Sequence, residues 1–224
     1  MNNIDSNELQ KLYIAYFGRP GDPSGMNYWI ARSNQSISIR EISNELSRQD
    51  EYVKYITHDK TFDFKINKLY LNLYGRKADF DGLNYWMELI DRKNYTISDI
   101  VYNLLYSKDK SYSINLEQEK QDLIILNNKI LAAEIFTKEI SKSITLINLY
   151  KPDSISPWIS GDVFERVSIF LSNVSFEKIS IGQVNDFIHS LSDNGIRILT
   201  KPAIEIKDLS VSIPIYYLEN RSIT

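Results

Sequence analysis

An eighteen-residue stretch, LYIAYFGRPGDPSGMNYW (Leu12–Trp29), returns 57 residues later as LYLNLYGRKADFDGLNYW (Leu69–Trp86). Two segments with the same apolar offsets and the same turn residues are expected to fold into the same local unit, so the repeat limits the possible folds more than any bulk property. Leu9, Leu12, Tyr13, Tyr16 and Phe17 in one copy, and Ile66, Leu69, Tyr70, Leu73 and Tyr74 in the other, have the i, i+3, i+4, i+7, i+8 spacing of an amphipathic helix. Asp5 with Glu8 reads as a capping box for the first helix and Asp63 as a cap for the second. Gly18 and Gly75 read as the left-handed residues that end them.

A second helix is predicted after each glycine. Asp22 followed by Pro23 is an N-cap and first-turn pair, Asp79 stands in the equivalent place, and the helices carry Met26, Trp29 and Ile30, or Leu83, Trp86, Met87 and Ile90, on one face. A third helix presents Ile39, Ile42 and Leu46 in copy one and Ile97, Ile100, Val101 and Leu104 in copy two. A period of this length occurring only twice points to tandem three-helix modules, not a long solenoid.

Beyond Leu116 the spacing of Leu123, Leu126, Ile130, Ala133, Phe136 and Ile140 predicts the longest helix of the chain, broken by YKPDSISPWIS. Asp162 with Glu165, and Ser180 with Gln183, start two more helices, the last ending at Asn194–Gly195. In the tail Leu209, Val211, Ile213, Ile215 and Tyr217 alternate with other residues as in a strand, and Pro214 makes it an edge strand or an extended linker. The expected fold class is all-α: one module at 1–58, a second at 59–116, a helical subdomain at 117–200 and an extended or β tail at 201–224.

Composition excludes several function classes. The absence of cysteine removes disulfides, thiolate metal sites and Cys nucleophiles together. A net charge of −3 supplies no basic field for nucleic acid, and no run of apolar residues is long enough for a membrane span. The N-terminal MNNIDSNELQ is polar and lacks the apolar core of a Sec signal, so export calls for a signal elsewhere. No phosphate-binding glycine loop, nucleophile elbow or metalloprotease helix occurs, which leaves an enzyme and a cofactor without positive support. DFDG followed by Glu88 has the end of a calcium loop but not its start, since Lys77 stands at the first ligand position. His58 and His189 belong to no paired-ligand motif and read as surface residues.

The repeated pattern of Tyr13, Gly18, Arg19, Asp22, Gly25, Asn27, Tyr28 and Trp29, with Tyr70, Gly75, Arg76, Asp79, Gly82, Asn84, Tyr85 and Trp86, resembles the bacterial family known as domain of unknown function 4214. That family occurs as tandem copies near the N-termini of S-layer proteins and other type I secreted surface proteins. The resemblance covers residues 8 to 115, and Asn127–Thr137 and Phe170–Ser175 look like the helices that follow such repeats. It implies an extracellular, non-catalytic module that anchors a surface protein by binding lipopolysaccharide O-antigen or a related surface polysaccharide, with copies of itself as possible lattice neighbours. The alternative is a protein-binding scaffold, because helical linker modules of light-harvesting assemblies have a loosely similar pattern.

Six residues are the candidate ligand-binding set: Arg19, Asp22 and Tyr28 in copy one, Arg76, Asp79 and Tyr85 in copy two. Each Arg–Asp pair sits across a tight turn, where it either braces the turn while the carboxylate caps the next helix, or offers a charged donor fork to sugar hydroxyls or phosphate. Each Trp shares a helical face with apolar residues and is expected in the core, whereas the Tyr beside it points about 100° away, towards solvent. No residue is assigned to a metal.

Overall fold

Asp5, in extended conformation, accepts a hydrogen bond from the Glu8 amide (2.9 Å) and opens α1 (Ser6–Phe17), which Gly18 closes at φ 64°. Asp22 caps α2 (Pro23–Ser33) through the Gly25 amide, and Ser38 with Glu41 forms a reciprocal capping box at α3 (Ile39–Leu46). This is the chain's computed structural model, which describes residues 4–107, 116–152 and 163–192.

Copy two repeats the plan. Helix α4 (Phe62–Tyr74) ends at Gly75 with φ 71°, Asp79 caps α5 (Phe80–Lys93) through the Gly82 amide, and Thr96 with Asp99 boxes α6 (Ile97–Tyr106). The equivalence reaches individual bonds. The Gly21 amide donates to Gln10 Oε1 (2.9 Å), and the corresponding Ala78 amide donates to Asn67 Oδ1 (3.1 Å). One expectation needs correction: the cap of α4 is Thr61, and Asp63 lies inside the first turn, where its charge still complements the exposed amides. A π-helical turn, Glu51–Ile56, follows α3 in copy one and has no sequence signature.

Helix α7 (Leu116–Ile140) is the longest described, as its apolar spacing predicts, although Leu123 is exposed. Three short helices follow, α8 (Ile144–Leu149), α9 (Val163–Ser172) and α10 (Ile181–Ser192). Among the described residues every regular element is helical, with no strand. Ser180 and Gln183 bond each other reciprocally at the start of α10, as their spacing predicts. Asp162, Asn194–Gly195 and the alternating tail at 201–224 lie outside the described residues.

Two apolar cores form, and α7 enters both. The first takes Leu12, Tyr16 and Trp29 from copy one, Leu69, Leu73 and Trp86 from copy two, and Leu126, Ile130 and Ala133 from α7. Both motif tryptophans are buried, and Trp86 also donates its indole N–H to the Tyr70 hydroxyl (3.0 Å). Equivalent helices meet across the repeat: α1 packs on α4 and α3 on α6, where Ser98 Oγ donates to Asn44 Oδ1 (2.7 Å). The second core joins Phe136 and Ile140 of α7 to Tyr150, Phe164, Val167, Val184 and Ile188. The expected boundary at 116 therefore marks the start of a shared helix and does not separate two cores.

Polar bonds fasten α7 to both repeats. Thr137 Oγ1 donates to Gly21 O (2.7 Å) and accepts from Gln10 Nε2 (2.9 Å). The Lys129 amine, 1% exposed, donates to Asn72 O (2.7 Å) and Leu71 O (3.3 Å) near the C-terminal end of α4. Burial, with Lys68 nearby, pulls this amine down to about 7.

Candidate functional site

The left-handed glycine that ends α1 turns the chain so that Arg19 points inward, and Arg19 is only 2% exposed. Its Nε and Nη2 donate to the two carboxylate oxygens of Glu51 (2.7 Å each), a bidentate pair, and Nη1 donates to Pro20 O (3.0 Å). Asp22 stands farther off at 3.7 Å, and the Phe164 ring covers the guanidinium at 4.3 Å. Burial opposes the charge, but Glu51, Tyr150 and Asp22 outweigh it and hold the pKa well above its ordinary value. Asp22, 3% exposed, spends its carboxylate on the cap of α2. Both residues are therefore internal braces, and against the expectation of ligand contacts their side chains present almost no surface to solvent.

Copy two uses the same turn differently. Arg76 pairs bidentately with Asp122 of α7 (2.8 and 2.6 Å), stands 3.9 Å from Asp79, and is partly open to solvent. Asp79 caps α5, and its side chain is 59% exposed. Arg76 is committed to Asp122, which leaves Asp79 the more accessible of the two. Sequence spacing named the nearest carboxylate in each copy, whereas the closest partners, Glu51 and Asp122, come from 32 and 46 residues away.

The tyrosines also diverge. Tyr28 is 53% exposed, with its ring edge-on to Trp29 at 4.8 Å and 73°. Arg32 lies over both rings (5.7 and 5.5 Å), donates to the Tyr28 hydroxyl (3.2 Å) and pairs with Glu45 on α3. Tyr85 makes the same edge-on contact with Trp86 (4.9 Å, 74°) but is half-buried, and Leu89 occupies the position equivalent to Arg32. Arg32 escaped the sequence reading, although its place four residues after Tyr28, on the same helix face, is a usable signal.

Arg32 also lines a polar recess of about 370 Å³ between the end of α2 and the start of α3, together with Gln35, Ser36, Glu41, Asn44 and Glu45. Ser36 holds the intervening turn at φ 70°, and its amide donates to Ser33 O (3.0 Å). Bonds from the Ser38 amide and hydroxyl (2.7 Å each) hold the Glu41 carboxyl below its usual range. A second depression, of about 480 Å³, runs between α2 and α7 over an apolar floor of Pro23, Met26, Ile30, Leu131 and Ile135.

No family model, curated protein or solved structure matches this chain. The family resemblance accordingly rests on the repeated motif itself, and much of that motif is spent on packing: the Trp pair, Tyr13, Tyr70, Arg19 and Asp22 are all buried. Among the described residues no three His, Asp or Glu side chains gather to hold a metal ion, and no helix is long and apolar enough to cross a membrane. What the site offers chemically is an oriented aromatic face, a fixed guanidinium and a cluster of hydroxyl, amide and carboxylate groups. Such a set binds polar, hydroxyl-rich ligands.

Proposed function

We propose that the chain is a non-catalytic, extracellular anchoring domain of a bacterial surface protein that binds lipopolysaccharide O-antigen or a related surface polysaccharide. The observation that carries this reading is Tyr28, an exposed ring whose orientation is fixed by Trp29 and Arg32 beside a polar recess. A sugar ring packs its C–H face on such an aromatic, and its hydroxyls exchange hydrogen bonds with neighbouring amides and carboxylates. A repetitive polymer bound by many copies of the domain side by side, as in a lattice, is retained even when each contact is weak.

The test is co-sedimentation and calorimetry of the folded chain with lipopolysaccharide. The wild type binds, and Tyr28→Ala weakens binding by about tenfold, roughly 1.4 kcal/mol, with unchanged denaturation because the ring is half in solvent. Folded protein that binds no glycan refutes the reading. The apolar groove between α2 and α7 favours one other function, a protein-binding scaffold, and capture of a protein partner by a domain that ignores glycans would establish it.

A further inference from the structure

The two repeats part company at the end of their second helix. Helix α2 stops after 11 residues at Ser33, whereas α5 runs for 14 residues to Lys93. The three residues withdrawn from the helix in copy one become the turn through Ser36, whose φ of 70° is a conformation that L-residues with a side chain adopt at a cost. In copy two the position equivalent to Ser36 is Lys93, still helical, and the position equivalent to Arg32 is the buried Leu89. The recess of module one thus lies where the chain departs locally from the repeat.

Its charge is as informative as its shape. The one cation in the lining, Arg32, is already paired with Glu45 and bonded to the Tyr28 hydroxyl. Arg40, next in sequence to Glu41, is not in the lining and pairs with Asp99 (3.4 Å). Glu41 therefore leaves the recess with one uncompensated negative charge. Asn44 has its carbonyl oxygen engaged by Ser98, which leaves its amide N–H groups as donors, and Gln35 adds a second amide. Ligand hydroxyls or ammonium groups meet two carboxylates there, and ligand ring and acetal oxygens meet the amides. A carboxylate or phosphate on the ligand meets like charge without a free cation to balance it. The volume lies at the lower end for ligand pockets and is room for about one ring, the rest of a glycan lying outside it.

We propose that this recess takes a single non-acidic pyranose unit, neutral or amine-bearing, and rejects uronic and phosphorylated sugars. The inference rests on the glycan-binding reading and assigns that reading to one site per chain. The experiment is an amide-resolved NMR titration of the full chain with glucose, N-acetylglucosamine, glucosamine, glucuronic acid and glucose 6-phosphate, run beside co-sedimentation with lipopolysaccharide. The first three sugars shift the amides of Arg32, Gln35, Ser36 and Asn44, and the two acidic sugars bind at least about tenfold more weakly, a difference of roughly 1.4 kcal/mol. Glu45→Gln, which frees Arg32, narrows or reverses that preference while the chain stays folded. Equal binding of acidic and neutral sugars, an unchanged preference in Glu45→Gln, or shifts confined to other residues while lipopolysaccharide still co-sediments would each overturn the assignment and leave the general reading standing. No binding of any sugar or of lipopolysaccharide removes both.

Discussion

Replacing Lys129 with Met tests how the α7 amine is held. The lysine is buried, donates to two backbone carbonyls and sits at about 7 against an ordinary value of 10.5. In the unfolded chain the amine keeps its ordinary value, so between these two pH values the unfolded state binds the extra proton and stability rises with pH. Below 7 both states are charged and the folded one carries the full penalty, about 5 kcal/mol from the size of the shift. Above 10.5 neither state is charged and the penalty is gone. Methionine is unbranched and fills similar space without charge, but it gives up the bond to Asn72 O, a loss of roughly 1 to 3 kcal/mol.

Lys129→Met is therefore expected to stabilise the protein by about 2 to 4 kcal/mol at pH 6. The advantage should shrink by about 1.4 kcal/mol per pH unit above 7 and turn into a deficit between about pH 8.5 and pH 10. Urea denaturation followed by tryptophan fluorescence, at pH steps from 6 to 9.5, gives the difference directly. Buried tyrosines such as Tyr70, pushed up to about 12 by desolvation, lower stability at alkaline pH in both proteins alike and cancel in the comparison. A variant that is less stable by the same amount at every pH would show that the amine stays charged and well bonded in the folded state with an unshifted pKa, and the reasoning would be wrong.

The two arginines separate by burial. Arg19→Met strands Glu51 in the interior and should cost about 3 to 5 kcal/mol, while Arg76→Met should cost roughly 1 to 2, because the partly exposed place of the Arg76 side chain admits water beside Asp122 and Gln118 still donates to that carboxylate; chemical denaturation of the pair decides it. A methyl group at Gly25 overlaps the hydroxyl of the buried Tyr13, so Gly25→Ala should destabilise by about 1 to 3 kcal/mol. At Gly82 the same methyl meets Asp79 Oδ1 at 3.1 Å and the Tyr70 hydroxyl at an ordinary 3.5 Å, and Gly82→Ala should change stability by less than about 1 kcal/mol in the same assay. Ser36→Gly relieves the left-handed turn and should raise the thermal midpoint by a few degrees, for a gain of roughly 0.5 to 1 kcal/mol.

Much of the helical plan is legible in the chain. Apolar spacing placed α1 to α7, Asp5, Asp22, Asp79, Gly18 and Gly75 marked their ends, and the burial of Trp29 and Trp86 follows from their shared face with Met26 and Leu83. The site was less legible because identical motifs have unlike surroundings. Arg19 and Arg76 occupy the same turn, yet one is sealed by Tyr150 and Phe164 and the other is only partly covered by α7. No local pattern could name Glu51, which sits in a π-helical turn, or Lys129, whose partners are backbone carbonyls on another helix. The recess depended on three residues leaving a helix, and periodicity does not resolve a difference of that size at a helix end.

The polar bonds from α7 back to both repeats have a consequence for synthesis. The ribosome releases the duplicated part first, with Arg76, Asn72 and Gln10 still lacking Asp122, Lys129 and Thr137. Phe164, which closes over Arg19, emerges later still. A nascent chain stopped after the second copy holds the tandem motif without the atoms that complete its interior, so the repeats acquire their final form only when the helices after them have been made. Although the duplication looks like a detachable cassette, either copy cut out alone leaves behind the α7 atoms that complete its interior.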